Sequence, residues 1–243
     1  MKNKKWISLA AAVVLAVTAL PMGVFAAKKD GEEEKLTKVT LNEVAHSIFY
    51  APQYVAIEEG YFAEEGLDLT LVTGFGADKV LTALISGEAD IGFMGAEASI
   101  YAYQEGATDP AVNFAQLTQR AGNFLVAREE MPDFKWEDLK GKKVLGGRKG
   151  GMPEMVFEYI LRKNGLDPQK DLTINQSIDF GSTAAAFTGD ASADFTVEFE
   201  PSATALEKEG AGYVVASLGV DSGYVPYTSY SVTGLCTVGS VWN

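Results

Sequence analysis

The sequence predicts an α/β protein of two lobes, with mixed sheets flanked by helices and a ligand cleft between the lobes. Short strand-like runs alternate with helix-like runs, a pattern that implies sheets covered by helices. The alternation occurs twice, on either side of a polar connection at 133–141. Behind an apolar leader roughly 200 residues remain, enough for one large domain or two small lobes with a real core.

In the first set, Val39 to Val44 (VTLNEV) reads as a strand, and Ala51 to Glu59 as a helix closed by Gly60. Leu67 to Val72 (LDLTLV) is the next strand. Val80, Leu81, Leu84 and Ile85 stand at helical spacing within 77–86, Gly87 stops that helix, and Ala89 to Met94 follows as a strand. Ala115 to Arg128 is strand-like with Gly122 inside it, and the crossover between lobes is expected near Arg120 to Phe124. The second set holds a short strand at Lys143 to Leu145 and a helix from Met152 to Asn164, with Pro153 in its first turn and Gly165 after it. A strand at Asp194 to Val197, a helix at Pro201 to Glu209 stopped by Gly210, and a strand at Tyr213 to Ala216 complete it.

The ends and the charge bound the setting. Lys2, Lys4 and Lys5 precede an apolar run from Trp6 to Leu20, with Val24 and Ala26 at small-residue positions, so 1–27 is expected to be a signal peptide and the mature chain to be exported. No lipobox cysteine follows it, and Cys236 has no partner for an internal disulfide. Loss of 1–26 removes three lysines and no acid, taking the formal charge from −13 to −16, a surface that repels phosphate backbones and argues against nucleic-acid binding. Residues 28–38, with Glu32, Glu33 and Glu34, read as a solvated tether. The expected division is 39–120 for lobe 1, 121–216 for lobe 2, and 217–243 as a return segment towards lobe 1 with an atypical tail.

Three segments fall in order: HSIFYAPQYVAIEEGYFAEEGLDLTLV (46–72), GADKVLTALISGEADIGFMGAEASI (76–100) and DLKGKKVLGGRKGG (138–151). Together they resemble the ABC-importer receptors for nitrate, sulfonates, taurine and thiamine-pyrimidine precursors, over about Val39 to Ser231. The resemblance implies the type II periplasmic-binding-protein fold, a non-enzymatic receptor that closes around a small solute, no cofactor, and a membrane permease as partner to a monomer. Such members continue past the stretch matching YVPYTSYS (224–231), whereas this chain ends in VTGLCTVGSVWN, which reads as truncated.

In open α/β sheets ligands bind where strand ends meet helix starts, so the candidate contacts lie in loops just before helices. His46, Ser47 and Tyr50 follow the first strand, where aromatic rings can stack on a planar ligand; the competing reading makes Phe49 and Tyr50 core residues. Gly76 and Ala77 precede the second helix, whose free N–H groups suit a polar ligand group, with Asp78 read as an ordinary cap. Gly95 and Glu97 repeat that geometry. Gly150, Gly151 and Met152 approach a helix start in the second lobe without the spacing of a nucleotide-hydrolase loop, while Arg148 and Lys149 read as solvated. Glu198 and Glu200 bracket Phe199 ahead of Pro201, and Glu200 suits the positive end of the helix that follows.

A carboxylate in the cleft disfavours an oxyanion and favours a solute that donates hydrogen bonds. With Glu97, Glu154 and Glu198 near predicted loops, the expected solute is a thiamine-precursor pyrimidine or similar nitrogen heterocycle, ahead of sulfonate, taurine or nitrate. His46 is the single histidine, so a Ser-His-Asp hydrolase would depend on it alone, and no G-x-S-x-G elbow accompanies it. Two alternatives stand beside the receptor: a pyrimidine-synthesising enzyme on the same fold, and a sensor domain docking on a membrane kinase.

Overall fold

The computed structural model describes residues 35–179, 181–223 and 227–233. The expected signal peptide, most of the tether and the tail from 234 lie outside the described residues.

Two five-stranded mixed sheets carry the fold. The first is built from β1 (Thr37–Glu43), β2 (Leu67–Thr73), β3 (Ile91–Gly95), β4 (Ala111–Thr118) and β10 (Thr228–Thr233), in the order β2-β1-β3-β10-β4. β1 lies parallel to β2 and β3, and β10 runs antiparallel between β3 and β4. The second contains β5 (Asn123–Ala127), β6 (Lys143–Leu145), β7 (Thr173–Asn175), β8 (Phe195–Phe199) and β9 (Tyr213–Ser217), in the order β7-β6-β8-β5-β9.

The strand-like stretch 115–128 is therefore two strands in two sheets. β4 ends at Thr118, β5 begins at Asn123, and the chain crosses over 119–122. It crosses back before β10, the strand that stitches the end of the described chain into the middle of the first sheet.

Helices α1 (Ala51–Glu58), α2 (Tyr61–Glu64), α3 (Ala77–Ser86) and α4 (Glu97–Gln104) belong with the first sheet. α3 buries Val80, Ala83 and Leu84 at helical spacing beside Met94, and Gly87, at φ 78°, ends it in the left-handed conformation that a residue with a side chain resists. α4 escapes a periodicity search because the residues it buries are small and polar, namely Glu97, Ala98, Ser99 and Ala102, while Ile100 and Tyr103 face outward. On the other side of the same sheet Leu41, Tyr50 and Phe93 form a buried cluster, with Tyr230 stacked on Phe93 at 4.5 Å.

The second sheet carries α5 (Met152–Lys163), α6 (Thr183–Gly189), α7 (Ser202–Lys208) and α8 (Leu218–Ser222). α5 lays Val156, Phe157, Ile160 and Leu161 against Leu125, Val144 and Phe195, in the largest buried apolar cluster among the described residues. Burying each such side chain is worth about 1.5–3 kcal/mol, so this helix is held by its apolar face and gives a firm base to the loop that precedes it. Among the described residues no helix is long and apolar enough to cross a membrane.

Candidate functional site

A cavity of about 270 Å³ opens where the two sheets face one another. Its first wall is made by the turn after β1 and the starts of α3 and α4; its second is made by the starts of α5, α6 and α7 and the end of β8. Of the residues anticipated from sequence, His46, Ser47, Tyr50, Gly76, Ala77, Gly95 and Glu97 line the first wall. Gly151, Met152 and Glu198 line the second. Gly150 does not: its amide turns away and donates to Glu154 Oε2 at 3.2 Å, so it faces an outer groove instead.

The turn after β1 is organised by one buried carboxylate. Glu43, at the end of β1, is fully buried and accepts from His46 Nδ1 (2.9 Å), Gln53 Nε2 (3.2 Å), Tyr54 Oη (2.8 Å) and Thr73 Oγ1 (3.1 Å). The His46 ring stacks on Tyr54 at 4.3 Å, and Tyr54 Oη also receives the Ser47 amide at 3.0 Å. The three anchors hold His46 and Ser47 at the rim of the cleft. Tyr50 is both core and cavity: it is 3% exposed, meets Phe93 edge-on at 4.7 Å and hydrogen-bonds Thr228 on β10. Burial pushes its phenol up to about 12.

Two further carboxyls face the cavity and are held differently. Glu198 is buried at 3% exposure on β8, where Thr196 Oγ1 donates at 2.7 Å and the Thr183 hydroxyl donates as well. Burial raises its pKa to about 7 against those two hydrogen bonds. Glu97, the first residue of α4, is 2% exposed, and its Oε2 has no hydrogen-bond partner among the described residues. Burial lifts it also to about 7, opposed by the backbone N–H of Glu97 itself and by that of Met152 across the cleft. Gly95 makes room for this carboxyl, since a Cβ there would collide with both of its oxygens. Tyr227 Oη, buried in the same lining, is likewise without a partner among the described residues.

The expected solvation of Arg148 is corrected. Its guanidinium is half-buried and bridges the lobes, with Nη2 donating to Asp78 Oδ2 at 3.0 Å and Nη1 to the Phe75 carbonyl at 3.3 Å. The planar fork reaches two acceptors at once, which an ammonium could not match as well. Asp78 is consequently not the cap of α3, whose start has no side-chain cap at all. Gly76 admits the contact, because a Cβ there would meet Arg148 Nη1. Glu200 does hold its helix start: its carboxylate accepts from the Thr204 amide (3.1 Å) and hydroxyl (2.9 Å).

Phe75, Thr183, Tyr227 and Thr228 line the cavity without having been singled out from sequence. Thr183, Tyr227 and Thr228 arrive by long-range topology and carry no local signal. Phe75 could have been suspected from its place between Gly74 and Gly76, where the backbone takes a positive φ of 59°. Among the described residues no group of three or more histidine, cysteine or acidic side chains is placed to hold a metal ion.

The family described as NMT1/THI5 like matches residues 48–238. The chain is 50% identical over 226 residues to a protein of Bacillus subtilis (strain 168) named "Putative binding protein YtlA", a match that covers 93% of this chain and 66% of that relative. Among solved structures, the periplasmic aliphatic sulphonate-binding protein of Escherichia coli superposes with TM-score 0.62 at 21% identity, over 80% of this chain and 64% of the other. The periplasmic nitrate-binding protein of Synechocystis PCC 6803 superposes with TM-score 0.64 at 18% identity, over 82% of this chain and 56% of the other. The chain thus spans about two thirds or less of the length of these relatives. The fold is the two-lobed type II periplasmic-binding-protein fold.

Proposed function

The chain belongs to the NMT1/THI5-like family, and on that premise we propose that it is the extracytoplasmic solute receptor of an ABC importer, taking a small nitrogen heterocycle such as a thiamine-precursor pyrimidine. The observation that carries the choice of solute is the pair of buried carboxyls, Glu97 and Glu198, on opposite walls of one cavity. A cavity of about 270 Å³ suits a single-ring solute, since pockets for drug-sized ligands run from roughly 300 to 1,000 Å³.

An oxyanion would need unspent positive charge or free N–H donors at a helix start. Arg148, the one Lys or Arg in the described lining, is already spent on Asp78, and His46 on Glu43. A ring bearing amino groups instead finds acceptors in the carboxyls of Glu198 and Glu97, both in the lining. With both carboxyls near pKa 7, either protonation state is accessible near neutral pH, and a donor-rich solute draws them to the charged form. Tyr50 and Phe199 supply aromatic surface in the same lining. Solute that touches both walls favours the closed arrangement by its differential affinity, the state a permease would read.

The test is isothermal calorimetry and thermal shift of the chain from residue 28, with 4-amino-pyrimidines, ethanesulfonate, taurine and nitrate as probes. A pyrimidine at about 100 times its dissociation constant should add roughly 2.7 kcal/mol to the folded state, and the oxyanions should add nothing. Glu198→Gln should weaken the pyrimidine at least roughly tenfold, the worth of one charge-assisted hydrogen bond, while shifting stability by less than about 1 kcal/mol. Binding of ethanesulfonate or nitrate with no response to any pyrimidine would overturn the choice of solute.

A further inference from the structure

The starts of two helices from opposite lobes converge on one carboxyl. α4 begins at Glu97 and α5 begins at Met152, and the backbone N–H groups of these two residues act on the Glu97 side chain in the direction of its charged form. Each helix start presents N–H groups with no intrahelical partner and the positive end of a helix dipole, the usual seat for an anionic group. Here the seat is filled by the protein. The Glu97 carboxyl lies in the hollow that Gly95 leaves, beside the cavity that its residue helps to line; the residue is 2% exposed, and its buried Oε2 is unpartnered among the described residues.

We propose that Glu97 is a built-in anion that occupies the oxyanion seat of this cleft and so sets the receptor's polarity, excluding anionic solutes and turning the seat into an acceptor for N–H donors. The proposal deepens the reading given above and depends on the cavity being the solute site. Its physical content is a swap of sign at one place. With the carboxyl present and ionised, as it is above about pH 7, an incoming sulfonate or nitrate meets a buried like charge in a space too small for both. With the carboxyl removed, the N–H groups of two helices face an empty hollow of about the size of a small oxyanion. Glu97 also touches both lobes at once, through its own helix and through Met152, so the same substitution frees a connection across the cleft.

The test is Glu97→Ala in the chain from residue 28, titrated with formate, nitrate and ethanesulfonate, beside Glu97→Gln and the unmodified protein. Formate is the chemical replacement for the missing carboxylate. It should raise the melting temperature of Glu97→Ala in a saturable way and bind at least roughly tenfold more tightly than to the unmodified chain, as expected for gain of a charged hydrogen bond. Glu97→Gln fills the hollow without the charge and should gain no anion affinity, while losing affinity for a pyrimidine.

If Glu97→Ala folds and neither formate nor nitrate binds better than to the unmodified chain, the proposal is overturned, even where a pyrimidine still binds the unmodified chain and the solute reading stands. If no pyrimidine binds the unmodified chain but Glu97→Ala gains formate, the solute reading fails and the seat remains. Should Glu97→Ala lack a cooperative melt, Glu97→Ser, whose hydroxyl can bond the first turn of α4, takes its place. The unmodified protein provides an independent check, since saturable binding of nitrate or ethanesulfonate to it would also overturn the proposal.

Discussion

Glu43 and Glu97 are both glutamates of the first lobe with almost no exposed surface, and the protein treats them in opposite ways. Glu43 receives four side-chain donors within 3.2 Å, drawn from the turn that follows β1, from α1 and from the end of β2. Glu97, in the lining of a cavity, keeps a buried oxygen with no partner among the described residues. Glu198 on the opposite wall is intermediate, with two threonine hydroxyls. A buried charge whose hydrogen bonds are complete belongs to the architecture; one left incomplete beside a void is available to something else. Burial alone would not have separated them.

The largest effect expected from this contrast is at the satisfied site. Glu43→Ala strands the donors of Gln53, Tyr54 and Thr73 and should lower stability by about 3 kcal/mol or more, read from the urea midpoint at constant slope. It should also loosen His46 and Ser47 at the cleft rim. A loss below about 1 kcal/mol would break the contrast, because it would mean that the four contacts are no more consequential than surface bonds.

The titration of the cleft carboxyls sharpens it next. Glu97 and Glu198 have folded-state pKa values of about 7 against an ordinary value of 4.5, raised in both cases chiefly by burial. Glu154 is raised to about 7 as well, by burial and by Glu158 beside it. A carboxyl with a raised folded pKa binds protons that the unfolded chain has already lost. Its stabilising contribution is full below pH 4.5 and disappears as pH rises through 7. Urea melts should therefore show stability falling between about pH 4.5 and 7, by an amount on the order of 1–3 kcal/mol, and levelling above that. Glu97→Gln should flatten the slope. A flat profile across that window would show these carboxyls to be solvated, with ordinary pKa values.

The smallest effect is expected at the rim, where Arg148 joins Asp78 and the Phe75 carbonyl across the lobes while about a third of its side chain stays exposed. Arg148→Ala should change stability by at most about 1 kcal/mol, as solvent-screened pairs do. Without the bridge the unliganded cleft should rest more open, seen as a larger radius of gyration in solution scattering. A stability loss of several kcal/mol would instead rank the bridge with Glu43.

Much of this was legible along the chain. The helix stops at Gly60, Gly87, Gly165 and Gly210 and the apolar spacing of α3 and α5 are local facts, so local reasoning reaches them. The rule that ligands meet the loops before helices leads to Gly76, Gly95, Gly151 and Met152, because each stands at or beside a helix start. It misplaces Gly150 by one residue, a turn in which the amide is taken by Glu154. Arg148 defeated the same reasoning: a lysine-arginine pair in a glycine-rich loop reads as solvated until Asp78, 70 residues away, is brought to 3.0 Å.

The sequence by itself determined the class of fold, the doubling of the strand and helix pattern, and an acidic character unsuited to anionic partners, since these follow from periodicity, turn chemistry and net charge. Tertiary structure alone decided which of its many carboxylates are spent and which are free. That distinction depends on the donors that distant segments bring to them: Thr73 to Glu43, Thr183 to Glu198, and Met152 to Glu97. Charge can be counted along a chain, but desolvation and hydrogen-bond completion exist only once the lobes are folded against each other.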